Sequence, residues 1–184
     1  MKNDFFLEVF RKIGLNFYRA FYGKKVKKGF WYVPYEPSAF VEQLEKVKEN
    51  FSGEVVPSFL DVGCGVGLTL LLAWQVGFKP YGIEIVPELV KLAKLFTYSL
   101  GGWVKRRDAL KFKDYDKFDV IYFYCPIKDM KLENRLERLI EDKMRVGAFL
   151  IANCKQNNCI EKDNRFKKIY ENNRGDAVWI KVKG

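Results

Sequence analysis

From Ser58 onward the apolar residues switch between two spacings. Short solid apolar runs read as strands buried on both faces. Stretches with one apolar stripe at helical spacing read as amphipathic helices. A strand over 58–63 leads into a helix from about 66 to 76, which Gly77 ends. A second strand spans Pro80 to Ile85. Pro87 then opens a helix from a first-turn position, with Leu89, Val90, Leu92, Ala93, Phe96 and Leu100 as its buried face, and Gly101-Gly102 closes it. A third strand runs from Trp103 to Arg107, and a fourth from Phe118 to Cys125, too apolar to have a wet face. Residues 131–144 carry Leu132, Leu136, Leu139, Ile140 and Met144 on one side and charges elsewhere, which predicts a helix with its charges outward. A fifth strand covers Gly147 to Asn153. The ending breaks the alternation: Arg165 to Tyr170 and Ala177 to Val182 read as two strands joined by a loop rich in turn formers. Repeated strand–helix units followed by a terminal hairpin predict an α/β fold, a mostly parallel sheet with helices on both faces.

Upstream, residues 3–22 place Phe5, Phe6, Val9, Phe10, Ile13, Phe17 and Phe21 on one face of a helix, with Arg11, Lys12 and Arg19 interspersed. Lys24, Lys25, Lys27 and Lys28 follow. Two readings stand: the Phe face packs on the domain, or the basic helix lies on an anionic membrane or RNA. Residues 29–37 are aromatic and broken by Pro34 and Pro37, which favours an extended segment. A helix then starts at Pro37 or Ser38 and reaches about Asn50, with Phe40, Val41, Leu44 and Val47 as its stripe. The expected organisation is a basic helix over 1–28 and one domain over 29–184, in which 29–57 covers the site.

Composition narrows the chemistry. Of 184 residues, 48% are hydrophobic and 16% aromatic, enough for one domain with its own core. The net charge of +10 favours an acidic partner, whether nucleic acid, an anionic membrane surface or an acidic protein; a lysine-rich solubilising surface is the plainer reading. There is no histidine, so an imidazole base and a His metal ligand are excluded. Cys64, Cys125, Cys154 and Cys159 form no Cys-x-x-Cys pair, which argues against zinc and for reduced thiols in a cytoplasmic protein. No stretch reaches the length of a membrane-spanning helix.

In a doubly wound sheet the ligand crosses the carboxyl ends of the strands. Here those ends carry the glycine turn Gly63-Cys64-Gly65-Val66-Gly67, Glu84, Asp108-Ala109 and Tyr124-Cys125-Pro126-Ile127. Glycines at alternate positions let backbone approach a ligand closely at a helix N-terminus. Glu84 can accept from both hydroxyls of a ribose, and Asp108 from an adenine amino group. The Ala109 amide can donate to a ring nitrogen, and Ile85 can cover the base. Together they specify a ligand that bears a nucleoside. The dinucleotide fingerprint needs Gly-x-Gly-x-x-Gly, and here the third glycine falls one residue early. Asp61, just before the turn, would repel pyrophosphate and suits an ammonium or sulfonium.

The run Asp61-Val62-Gly63-Cys64-Gly65-Val66-Gly67 resembles motif I of the class I S-adenosylmethionine-dependent methyltransferases, and Glu84, Asp108-Ala109 and the strand from Phe118 to Ile127 resemble the motifs that follow it. The resemblance implies a Rossmann-like seven-stranded sheet with one antiparallel strand. It implies S-adenosyl-L-methionine as cofactor, with the methionine part at Gly63, Gly65 and Gly67, the ribose at Glu84 and the adenine at Asp108. A looser likeness ties Tyr32-Val33-Pro34-Tyr35-Glu36-Pro37 and the end of the fourth strand to the small archaeal and mitochondrial-type protein-lysine methyltransferases. Tyr35 and Glu36 stand in that family's threonine region, Cys125 stands where a proline is common, and the glycine turn lacks its Ser-Gly-Asp-Gly.

Methyl transfer from a sulfonium depends on proximity, orientation and desolvation. An aromatic mouth would keep an attacking lysine amine neutral. Trp31, Tyr32, Tyr35, Tyr122 and Tyr124 are candidates for it, with Tyr35 and Tyr124 as the catalytic pair; Trp31 and Tyr122 also read as core. The fourth strand lacks the Asp or Asn that base-amine methyltransferases use, and Cys125-Pro126 reverses the order used in cytosine-C5 chemistry. The expected substrate is a protein lysine, in an acidic or membrane-bound partner. RNA or DNA is the alternative, and a cofactor-binding protein without turnover is a third reading.

Overall fold

A computed structural model describes residues 37–184. The basic helix expected at 3–22, the lysine cluster behind it and the aromatic segment with Trp31, Tyr32 and Tyr35 lie outside those residues. The described chain forms α1 (Pro37–Asn50), β1 (Ser58–Val62), α2 (Leu68–Val76), β2 (Lys79–Glu84), α3 (Pro87–Phe96), β3 (Trp103–Arg106), β4 (Val120–Tyr124), α4 (Met130–Lys143), β5 (Phe149–Asn153), β6 (Phe166–Glu171) and β7 (Ala177–Lys181). The strands make one seven-stranded sheet in the order β3-β2-β1-β4-β5-β7-β6. The first five strands run parallel, and β7 inserts antiparallel between β5 and β6. The order reverses between β1 and β4, which opens a crevice at their carboxyl ends.

Side-chain alternation along each strand builds two cores. Phe59, Val120, Tyr122, Phe149 and Ile151 face α1, α2 and α3, whereas Leu60, Val62, Ile121, Phe123, Leu150 and Ala152 face α4. Tyr122 thus belongs to the first core and not to the mouth: it is 2% exposed and its ring lies 4.7 Å from that of Phe40 on α1. Strand alternation points Tyr122 into the same packed layer as Val120 and away from Ile121 and Phe123.

Three elements depart from expectation. α3 ends at Phe96: the Thr97 amide makes the last bond of the helix, to the Ala93 carbonyl at 2.9 Å, its hydroxyl donates to the same carbonyl at 2.7 Å, and Leu100 N then turns back to the Thr97 carbonyl at 3.1 Å. Leu100 is buried beyond the helix. Between β3 and β4 there are two short 3-10 turns, Ala109–Lys111 and Tyr115–Lys117, which deliver Phe112 and Tyr115 to the α4-side core. In α4, Asp129 caps the start by accepting from the Lys131 and Leu132 amides. Its inward stripe is Glu133, Leu136, Glu137, Ile140 and Glu141, while Leu132 is 41% exposed. The charges expected outside are therefore partly inside. Ile127 N donates to Glu133, Gln156 N and Asn157 N donate to Glu137, and Lys155 Nζ lies 2.8 Å from Glu137 and 2.7 Å from Glu141.

Candidate active site

Strand register sets the site. Val62 pairs with Ile83 and Phe123, Glu84 with Arg106, and Tyr124 with Asn153. Gly63, Glu84, Arg106, Tyr124 and Asn153 therefore stand in one row across the carboxyl edge.

At the centre, Gly63 N and Cys64 N both donate to the Ile83 carbonyl, at 2.9 and 3.1 Å, so the glycine turn leaves β1 while pinned to β2. Gly63, Gly65 and Gly67 have φ of 88°, 54° and 87°, a left-handed backbone that side chains rarely adopt. A Cβ at Gly63 would sit 2.8 Å from Pro126 Cβ, and one at Gly67 would sit 3.2 Å from Thr97 Cγ2. The glycine turn thus touches the segment after β4 on one side and α3 on the other. Cys64 is buried, with its sulfur in the space left by Gly82, and burial pushes its thiol well above the usual range. It packs and does not react.

Asp61 is 3% exposed beneath the turn. Burial pushes its carboxyl up to about 7, against the opposing pull of a hydrogen bond from the Thr69 hydroxyl and with a further push from Glu84. Thr69 was missed by sequence reasoning. The signal was there: it is the first polar residue of a mostly apolar helix and sits two residues past Gly67. Glu84 is also buried. Its Oε2 accepts from Gly65 N at 3.0 Å, and its Oε1 accepts from Ile85 N and Val86 N at 2.8 and 2.9 Å. Burial raises it, opposed by those three amides. Oε2, with one amide bond and two lone pairs, has room for one further donor. Neither carboxylate has a cationic partner among the described residues. Two buried acids and three left-handed glycines form a cradle suited to a cation.

Along the edge towards β3, Ile85 is 41% exposed on the rim. Asp108 caps the first 3-10 turn, its Oδ1 accepting from Leu110 N at 3.0 Å, and Ala109 begins that turn. The Ala109 carbonyl accepts from the Tyr115 hydroxyl at 2.9 Å, which fixes the turn. Towards β5, Tyr124 is half-buried, and burial raises its phenol so that it keeps its proton. Cys125, Pro126 and Ile127 are half-buried beside it. The site thus gathers Asp61, Gly63, Gly65, Gly67, Glu84, Ile85, Asp108, Ala109 and Tyr124 along a single edge. Tyr35 lies outside the described residues. Two contributors invisible in the linear pattern are Glu133, whose Oε2 holds Ile127 N at 2.9 Å, and the buried amide pair of Gln43 on α1 with Asn153, joined at 2.8 and 3.0 Å.

Residues 28–125, just over half of the chain, match the family described as a methyltransferase domain. No curated protein matches the chain in sequence. Solved structures with a similar fold include an RNA methyltransferase from Salinibacter ruber in complex with S-adenosyl-L-homocysteine. It is 18% identical with a TM-score of 0.58, over 83% of this chain and 95% of that one. The magnesium protoporphyrin IX methyltransferase of Synechocystis with bound S-adenosylmethionine is 13% identical with a TM-score of 0.61, over 95% and 97%. A sugar N-methyltransferase of Streptoalloteichus is 19% identical with a TM-score of 0.54, over 83% of this chain and 57% of that one.

Proposed function

The chain belongs to the methyltransferase-domain family and is a class I S-adenosylmethionine-dependent methyltransferase, and on that premise we propose that its acceptor is the side-chain amine of a protein lysine. S-Adenosylmethionine supplies a methyl on a sulfonium already activated for in-line displacement. The residues of the cradle fit it. Asp61 offers a buried negative charge to the ammonium and sulfonium end, and the glycine turn leaves room for the backbone to close on the methionine part. Glu84 Oε2 would accept from a ribose hydroxyl, Asp108 and Ala109 would hold the adenine, and Ile85 would cover its ring.

The observation that supports a lysine is the edge after β4. Tyr124, Cys125, Pro126 and Ile127 present a phenol, a thiol and apolar carbon, half-withdrawn from water and without a carboxylate or amide side chain among them. An amine must lose its proton before it attacks. Apolar walls disfavour the ammonium form and so lower its pKa. The protonated Tyr124 phenol can then orient the neutral nitrogen through its oxygen. A net charge of +10 suits an acidic partner protein, and the basic residues 1–28 extend that reading to one at an anionic membrane surface in the cytoplasm. The same charge favours RNA or DNA as the second reading.

Transfer of radiolabelled methyl from S-adenosylmethionine into a fractionated lysate separates these. The expected label is protease-sensitive, nuclease-resistant and recovered as methyl-lysine after hydrolysis. Label removed by nuclease and spared by protease overturns the lysine reading and leaves the family assignment intact.

A further inference from the structure

Two cysteines meet at the acceptor edge. Cys125 and Cys154 each follow the last paired residue of β4 and β5, where Tyr124 sits beside Asn153. They are the non-glycine residues with positive φ among the described residues, at 39° and 56°. That backbone is costly for any side chain with a Cβ, and a plain turn would take Gly or Asn. Strain of this kind persists where the surrounding structure enforces it, often at functional positions. Here it turns two neighbouring strand ends together at the same register. Neighbouring parallel strands lie about 4.8 Å apart, inside the range of about 4.4–6.8 Å between Cα atoms that a disulfide spans.

The sulfur contacts agree. Cys125 Sγ donates to the Cys154 carbonyl at 3.1 Å. Gln156 Nε2 lies 3.9 Å from Cys125 Sγ and 3.7 Å from Cys154 Sγ, and donates to the same Cys154 carbonyl at 3.0 Å. One amide nitrogen therefore touches both sulfurs. Both are free thiols, Cys154 exposed and Cys125 half-buried. Cys64 is buried under the glycine turn, and Cys159 is exposed in a separate 3-10 turn, Asn158–Lys162.

We propose that Cys125 and Cys154 form a reversible disulfide across the acceptor edge, made by exchange with a low-molecular-weight disulfide such as oxidised glutathione. The exposed Cys154 thiolate attacks the small disulfide, forming a mixed disulfide and releasing one small thiol. Cys125 then loses its proton and attacks Cys154 Sγ, and the second small thiol leaves. Two protein thiols are oxidised to one disulfide while one small disulfide is reduced to two thiols. Burial and the neighbouring Cys154 hold the Cys125 thiol up at about 12, so Cys154 takes the first step and closure by Cys125 is the slower one. The bond replaces the contact of Cys125 Sγ with the Cys154 carbonyl and ties down the residues that lead to Pro126, beside which Gly63 lies. The bond itself depends on no particular acceptor, so its test is separate from that of the lysine reading.

The full chain is equilibrated across a series of reduced and oxidised glutathione, quenched by alkylation, and digested without reductant for peptide mass mapping. The expected product is a peptide linking Cys125 to Cys154, two hydrogens lighter than the reduced pair and lost on treatment with dithiothreitol. In Cys154→Ser, Cys125 is recovered alkylated and no such peptide forms. In Cys159→Ser the linked peptide persists. The exposed position of Cys154 makes its serine variant a safe probe of folding, which far-UV circular dichroism verifies. Recovery of Cys125 and Cys154 as free thiols or as separate mixed disulfides in the fully oxidised buffer overturns the proposal, as does a link from either one to Cys159.

Discussion

Asp61 holds a proton near neutrality because it is buried and has no cation beside it. Its carboxyl moves from an ordinary 3.8 to about 7, and that of Glu133 from 4.5 to about 7, in both cases chiefly through burial. For both, the folded value lies above the unfolded one. The stability they contribute is complete below their ordinary values and is lost as pH rises through about 7. In the cofactor-free protein the urea midpoint should therefore fall between about pH 4 and about pH 7 and level off above that, and Asp61→Asn should flatten that slope. Cofactor binding reverses the preference, since a cation beside Asp61 favours its ionised form. Affinity measured by calorimetry should climb with pH up to about 7 and then level off, with proton release on binding below that point; pH-independent affinity would remove Asp61 from the cation's contacts. At this scale the acids were legible in the sequence, and their partners were not. Asp61 and Glu84 announce themselves at strand ends. Thr69 and the amides of Gly65, Ile85 and Val86 reach them only once the turn has closed.

Among elements, α4 shows most clearly what periodicity leaves out. A helical wheel sends every glutamate to solvent, because an isolated buried carboxylate is prohibitively costly. Glu133, Glu137 and Glu141 are nonetheless buried: the segment after β4 brings the Ile127 amide to Glu133, and the chain after β5 brings Lys155 up against Glu137 and Glu141 and two amides up against Glu137. That chain is distant in sequence, so no local pattern could disclose it. The arrangement depends on Lys155. Lys155→Met should lower the stability of the domain by about 3–5 kcal/mol at neutral pH, because it strands charge rather than deleting a pair. The loss should shrink in acid, where the carboxylates take up protons. A denaturant titration showing a change under about 1 kcal/mol would mean that solvent reaches the cluster. A second lysine shows how the same helix ends: the buried Lys181 on β7 donates to the carbonyls of Glu141, Asp142 and Met144. Strand and helix positions were otherwise readable to within a residue or two. The two 3-10 turns were not, being too short to show a period.

For the whole molecule, the parallel sheet was foreseeable from the alternation of strands and helices. The position of the last hairpin was not. The pairing of Leu150 with Trp179 and its neighbours sets the apolar β7 inside and β6, with Lys167 and Lys168, at the edge. Net charge also acts at this scale. With 33 basic against 23 acidic residues and a lysine cluster in 24–28, the protein should capture an acidic partner or anionic vesicles through its first 28 residues. Removing residues 1–28 should weaken that capture by most at low salt and by little at high salt, as read by co-sedimentation across an ionic-strength series. Equal capture by both forms at every salt concentration would assign the charge to solubility alone.

The contact between Gly63 and Pro126 ties two tasks that an enzyme would gain from tuning apart. On the proposed reading the glycine turn shapes donor affinity and the segment after β4 shapes acceptor choice, yet a single van der Waals surface serves both. A change that reshapes the acceptor side at Pro126 also shifts the floor on which the glycines turn. Substitutions at the two places will not add; they will show epistasis, each altering the effect of the other. A lineage that explores new acceptors by mutating this edge is therefore confined to paths that re-seat the donor at the same time.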